Sequence, residues 1–139
     1  MTAPYFRQVP ADNLGYVEID RRSLYAVTPA ASGVGATIYV VMDPVGADDL
    51  WEITRFTVSC TSSTPTTAAH YVGAALGDAT AANLLEGTSN GNLDFADEAA
   101  GVQLEGSRSL LTVWTGASSG AIGTVRIQYK LYRRRGALS

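Results

Sequence analysis

The sequence predicts an all-β protein, an antiparallel β-sandwich of jelly-roll character with about eight strands. Three observations carry this. Apolar residues recur with period two. The apolar runs are short and are ended by turn residues such as Ser32-Gly33-Val34-Gly35, Asp43-Pro44, Ser62-Ser63-Thr64-Pro65 and Ser118-Ser119-Gly120. No amphipathic helix longer than two turns can be read anywhere. Short strands at regular spacing with such punctuation define a sandwich or barrel.

The strongest strand is Thr124 to Tyr132, where Val125, Ile127, Tyr129 and Leu131 alternate with Arg126, Gln128, Lys130 and Tyr132. One face belongs to a core and the other to solvent or a partner. Trp51 to Cys60 is a second strand, but its apolar positions slip in phase between Ile53 and Phe56. One extra residue near Thr54-Arg55, a β-bulge, puts Trp51, Ile53, Phe56, Val58 and Cys60 back on a common face.

Ala36 to Met42 and Ser109 to Thr115 are apolar on both faces. Such strands lie between packed layers or under another subunit. Weaker strands are expected at Tyr16–Ile19, Leu24–Thr28, His70–Ala74, Leu84–Thr88 and Val102–Leu104, and a single helical turn capped by Asp78 competes for Asp78–Leu85. The 139 residues are expected to form one domain: an extended arm over residues 1–15, the sandwich over 16–132 and a basic tail over 133–139.

Composition narrows the function classes. Only 17% of residues are charged, below the roughly 25% of ordinary soluble domains. Such a surface suits packing against neighbours. The net charge of −3 steers the chain to neither nucleic acid nor anionic membrane. The single cysteine, Cys60, forms no internal disulfide and supplies no cysteine-based zinc site. The start of the chain has neither the basic flank nor the apolar run of a secretory signal, and no stretch approaches a membrane-spanning length of about 20 residues.

Sites of chemistry are few. His70 is the only histidine, and no G-x-S-x-G elbow accompanies it; a structural or interface role is expected. The stretch Asn90–Glu98 spaces oxygen-bearing side chains like a calcium loop, yet Phe95 stands where the loop needs glycine and Gly101 where it needs a bidentate glutamate. An acidic loop after an Asn-Gly turn is the expectation. Trp51, Trp114, Tyr71, Tyr129 and Tyr132 have the residue types of a sugar-stacking platform, although strand aromatics are more often core or interface anchors. Half of the ten basic residues fall between Arg126 and Arg135. They lack a groove-reading motif, so a solvated strand end, or pairing with an acidic patch on a neighbouring subunit, is favoured over nucleic acid.

Two segments resemble virion proteins of long-tailed bacteriophages, especially those infecting actinobacteria. The first is Leu50-Trp51-Glu52-Ile53-Thr54-Arg55-Phe56-Thr57-Val58-Ser59 with the loop to Thr67; the second runs from Glu86-Gly87-Thr88-Ser89-Asn90-Gly91-Asn92 through Trp114-Thr115-Gly116-Ala117 to Thr124–Tyr129. The resemblance implies a small β-sandwich on a phage particle, decorating the head or forming part of the tail or a fibre. The expected role is therefore a non-enzymatic capsid decoration protein without cofactor or metal, made in the host cytoplasm and carried on the virion. Its partners would be itself, as a trimer, and a major capsid or tail protein. The alternatives are a tail or fibre protein, or a carbohydrate-binding module that takes a host glycan. Candidate interface residues are Tyr5, Phe6, Tyr39, Val41, Trp114, Tyr132, Arg133, Arg134 and Arg135.

Overall fold

The computed structural model describes residues 15–96 and 102–138. They form nine strands: β1 (Tyr16–Val27), β2 (Ala36–Val41), β3 (Asp49–Cys60), β4 (Thr67–Val72), β5 (Leu84–Thr88), β6 (Leu93–Ala96), β7 (Val102–Glu105), β8 (Leu110–Ala117) and β9 (Gly123–Arg134). One antiparallel sheet has the order β1-β9-β3-β6, with β7 also on β3, and the other has the order β2-β8-β4-β5.

This order is that of a long antiparallel ribbon wrapped into two layers. β1 pairs with β9, β2 with β8, β3 with β6 and β7, and β4 with β5, while β9 to β3 and β8 to β4 are the seams that the wrapping closes. Counting β6 and β7 as one interrupted strand along β3, the topology is the eight-stranded jelly roll.

The phase slip in β3 is a bulge at Thr54: Ile53 opposes Tyr129 and Arg55 opposes Gln128, so Thr54 is the extra residue. Its hydroxyl donates to the Gln128 carbonyl at 3.2 Å. The bulge falls between the β7-paired half of β3 (Leu50–Ile53) and the β6-paired half (Phe56–Ser59). Because β9 carries no matching insertion, deletion of Thr54 leaves the register continuous and is expected to keep the fold. Deletion of Thr57 instead turns Val58 and Cys60 outward and is expected to abolish the cooperative urea transition. Circular dichroism of the two deletions separates these outcomes.

Several sequence expectations change. The two short strands at Tyr16–Ile19 and Leu24–Thr28 are one strand, β1, whose polar middle, Asp20-Arg21-Arg22-Ser23, is exposed at a sheet margin and never had a core to face. β4 begins at Thr67, before His70, because Ala68 is small enough to be buried at 2% exposure without looking apolar in a periodic scan. β6 arises within the stretch read as an acidic loop. Residues Asp78–Leu85 form two short 3-10 turns, Leu76–Asp78 and Ala81–Asn83, followed by β5. Asp78 ends the first turn, and its carboxylate accepts from the backbone N–H groups of Ala74 and Ala75. The basic tail is shorter than expected, since Arg133 and Arg134 belong to β9 and Arg135–Leu138 form a 3-10 turn.

The core lies between the sheets. Ile53, Phe56, Val58, Val125, Ile127 and Leu131 from the first sheet meet Ile38, Ala68, Val72, Leu110 and Trp114 from the second in one buried cluster. The inward register is visible in the rows Ile38·Trp114·Ala68 and Val40·Thr112·His70.

Candidate interaction surface

A sandwich has two outer faces, and here they differ chemically. On the first sheet, alternation sends Arg126, Gln128 and Lys130 of β9 outward, flanked in register by Tyr25, Ser23 and Arg21 of β1 and by Thr57, Arg55 and Glu52 of β3. Along these rows the face is polar and charged, with the apolar Tyr25 and Val27 exposed at its β1 margin. The Arg126 guanidinium stands 5.9 Å from the centre of the Tyr25 ring, which is 64% exposed.

The outer face of the second sheet is apolar. Its two central rows are Tyr39·Val113·Ala69·Gly87 and Val41·Leu111·Tyr71·Leu84 across β2, β8, β4 and β5. Leu111 and Val113 are 0% and 7% exposed. Around them Val41, Ala69 and Tyr71 are half-buried and Tyr39 is 40% exposed. A solvated sheet face would alternate to polar residues here. The two-faced apolar reading of β8 is thus explained by position: one face is core, and the other is the centre of an outward apolar patch.

Of the candidate interface residues, Tyr39 and Val41 lie on this patch. Trp114 does not: it is 0% exposed in the core, where its indole N–H donates to the Gly91 carbonyl at 3.0 Å. Tyr132 is also buried, 9% exposed, but on the outward side of β9, in a small cluster with Tyr16 and Leu50 that is separate from the main core. Its place is set by β9 running on past residue 132, so that Leu50 of β3 packs beside it. Arg133 is held by Asp49 through bonds of 2.8 and 3.3 Å, which keeps its guanidinium protonated above its ordinary range. Arg134 lies over the Tyr16 ring at 5.7 Å, and Arg135 is exposed. Tyr5 and Phe6 fall outside the described residues, as do Asp97 and Glu98 of the acidic stretch. Of the apolar residues beside Tyr39 and Val41 in the patch, Tyr71 was read only within the sugar-platform set and Ala69 was not read at all; the alternation of Ala69 and Tyr71 against Ala68, His70 and Val72 was the available signal.

The aromatic set read as a sugar platform is mostly inside the protein: Trp51 and Tyr129, 7% and 6% exposed, stack on each other with ring centres 4.3 Å apart. Only Tyr71 of that set reaches the surface, and it stands in the apolar patch.

His70 is 3% exposed, points between the sheets and is stacked on Phe56 with ring centres 4.1 Å apart. Its Nδ1 shares a 2.8 Å hydrogen bond with the Thr112 hydroxyl. Burial lowers its pKa from 6.5 to about 3, so the ring is neutral at pH 7. Beside it a cavity of about 80 Å³ is lined by Phe56, Val58, Glu86, Thr88 and Asp94, with Thr88 donating to the Asp94 carboxylate. Among the described residues no group of three His, Cys, Asp or Glu side chains could hold a metal ion.

The fold and this surface define a class: a jelly-roll β-sandwich with one charged and one apolar outer face. No protein-family model and no curated protein matches the sequence. Solved structures of similar shape include the acid-stable capsid of Helicobacter pylori bacteriophage KHP30, at 11% identity over 83% of this chain and 90% of that one with a TM-score of 0.48. They also include the capsid asymmetric unit of cyanophage Pam1, at 14% identity over 84% and 86% with a TM-score of 0.43. A third, described as a CBM4 structure, is 15% identical over 85% and 94% with a TM-score of 0.34. Likeness at these values is one of chain course, and a shared fold does not carry a shared function.

Proposed function

We propose that the protein is a non-enzymatic virion structural protein of a bacteriophage, a capsid decoration protein that holds to the particle through the outer face of its β2-β8-β4-β5 sheet. The observation that carries this is the apolar patch centred on Val113 and Leu111 and rimmed by Tyr39, Val41, Ala69 and Tyr71. Contiguous apolar surface on a small soluble domain marks a contact with another macromolecule. The sequence resemblance to virion proteins supplies the setting, and the low charged fraction of 17% fits a protein that spends its life packed in an assembly.

Attachment to a tail or fibre is the alternative location. Tyr71 and Tyr39 on the same face also leave room for a glycan-binding role. Ala69→Lys places an ammonium in the middle of the patch without touching the core, so its thermal unfolding is expected to match that of the parent protein. Its retention on purified particles in a sedimentation assay is expected to fall at least tenfold, the effect of about 1.4 kcal/mol. Full retention of this variant, or absence of the parent protein from particles, sinks the proposal.

A further inference from the structure

β2 ends its sheet, and among the described residues nothing pairs with its other edge. The Met42 N–H donates to the Leu110 carbonyl at 2.9 Å, which makes Met42·Leu110 a hydrogen-bonded pair. Antiparallel alternation then gives Val40 the same role toward Thr112 and turns the N–H and C=O groups of Tyr39 and Val41 to the open edge. Beside that edge runs a groove of about 380 Å³ whose other wall is Pro29, Ala30 and Ser32. Natural sheets cover or charge such edges. Here the edge residues are Thr37, Tyr39, Val40 and Val41, and none is charged.

We infer that this edge takes an added β-strand, and that the strand is the N-terminal segment of a second copy of the chain. Three observations favour this occupant. Residues 5–9 stand only six to ten residues before Gly15, a reach of about 20–35 Å when extended. They are Tyr5-Phe6-Arg7-Gln8-Val9, a five-residue run of strand-forming and long side chains bounded by Pro4 and Pro10, which cannot continue a ladder. Its length suits the six residues of β2. The described residues begin at Gly15, whose carbonyl accepts from the Arg135 N–H. The groove instead begins just after Val27, at the other end of the 12-residue β1. To fill its own groove the segment would have to double back along most of β1, which spans about 40 Å. A neighbouring copy is free of that demand. Main-chain bonds to Tyr39 and Val41 would give affinity, and the apolar groove would select Tyr5, Phe6 and Val9.

The inference rests on the assembly role proposed above, but its test is separate. Analytical ultracentrifugation of the full chain at micromolar concentration is expected to show an oligomer, and a variant lacking residues 1–14 a folded monomer. A synthetic peptide of residues 1–14 is expected to bind the truncated protein, and Val41→Lys in that protein to weaken the peptide at least tenfold. In full-length chains with Cys60→Ala, mixing a Phe6→Cys or Arg7→Cys protein with a Tyr39→Cys protein under mild oxidation is expected to give a two-chain species. A monomeric full chain, an unchanged oligomer after truncation, peptide affinity indifferent to Val41→Lys, or the absence of a two-chain species from the mixed single-cysteine proteins would each overturn the inference. If truncation dissociates the oligomer but the parent protein is absent from particles, the virion role fails and the strand addition stands. If the truncated protein stays an oligomer that still binds particles, the reverse holds.

Discussion

Trp114→Ala is expected to lower the free energy of unfolding by about 4 kcal/mol or more, the range for truncating a fully buried large aromatic. With ordinary domains stable by only 5–15 kcal/mol, that removes much of the margin. Trp114 is 0% exposed and stands on the central strand β8, between Ile38 of β2 and Ala68 of β4. Its indole N–H holds the Gly91 carbonyl, and the Gly91 N–H in turn donates to the Thr66 carbonyl at 2.8 Å. Thr66 reaches Asn92 at 2.6 Å, and the Asn92 amide bridges the carbonyls of Ser62 and Thr64. Truncation therefore opens a cavity and also leaves a buried carbonyl without its donor.

Gly123 provides an internal check on that account. A Cβ built on Gly123 would lie 2.8 Å from two carbons of the Trp114 ring, so Gly123→Ala is expected to cost about 1–3 kcal/mol through overpacking. In the Trp114→Ala background the same methyl group enters the vacated space, and its cost should vanish or reverse. Urea unfolding of the two single variants and the double variant measures the coupling. Additive effects would show that the indole and the glycine do not share a packed space, and a loss below about 1.5 kcal/mol for Trp114→Ala would remove the indole from its anchoring role.

How much of this was legible in the sequence depends on which force fixed each element. Strands whose two faces see different surroundings announce themselves: β9 alternates from Val125 to Leu131, and the one-residue slip in β3 located the Thr54 bulge. Elements fixed by tertiary bonds did not. Asn90-Gly91-Asn92 reads as an exposed turn, yet Gly91 is buried under Trp114 because only a residue without a side chain leaves room for Thr66 and the indole. The inner or outer sense of a strand that is apolar on both faces is also invisible locally. Trp114 and Tyr39 both looked like contact residues, and only the pairing of Ile38, not Tyr39, with Trp114 decides that one faces the core and the other the surface. The apolar patch itself is a property of register across four strands, so no window along the chain contains it.

The buried histidine makes stability depend on acid in a way that a single substitution can isolate. His70 is the chain's only histidine, so between pH 6.5 and about pH 5 few other side chains titrate. In the folded state burial holds its pKa at about 3, whereas in the unfolded chain it returns to about 6.5. Below pH 6.5 the unfolded state therefore binds a proton that the folded state refuses. Stability contributed by the neutral ring is fully present above pH 6.5, falls as the pH drops, and is exhausted near the folded pKa. At about 1.4 kcal/mol per pH unit the loss reaches roughly 2 kcal/mol by pH 5. Phe56 stacks on one side of the ring and Thr112 offers only a hydroxyl, while Glu86 and Asp94 line the cavity beside it and are the carboxylates an imidazolium would meet there. His70→Gln keeps a group able to reach Thr112 but does not titrate. Its urea midpoint is expected to start lower at pH 7, from imperfect stacking on Phe56, and then to stay level down to pH 5 while that of the parent protein falls. Parallel pH profiles for the two proteins would place the acid sensitivity elsewhere, in the carboxylates, and would mean that His70 gains a proton without leaving its place between the sheets.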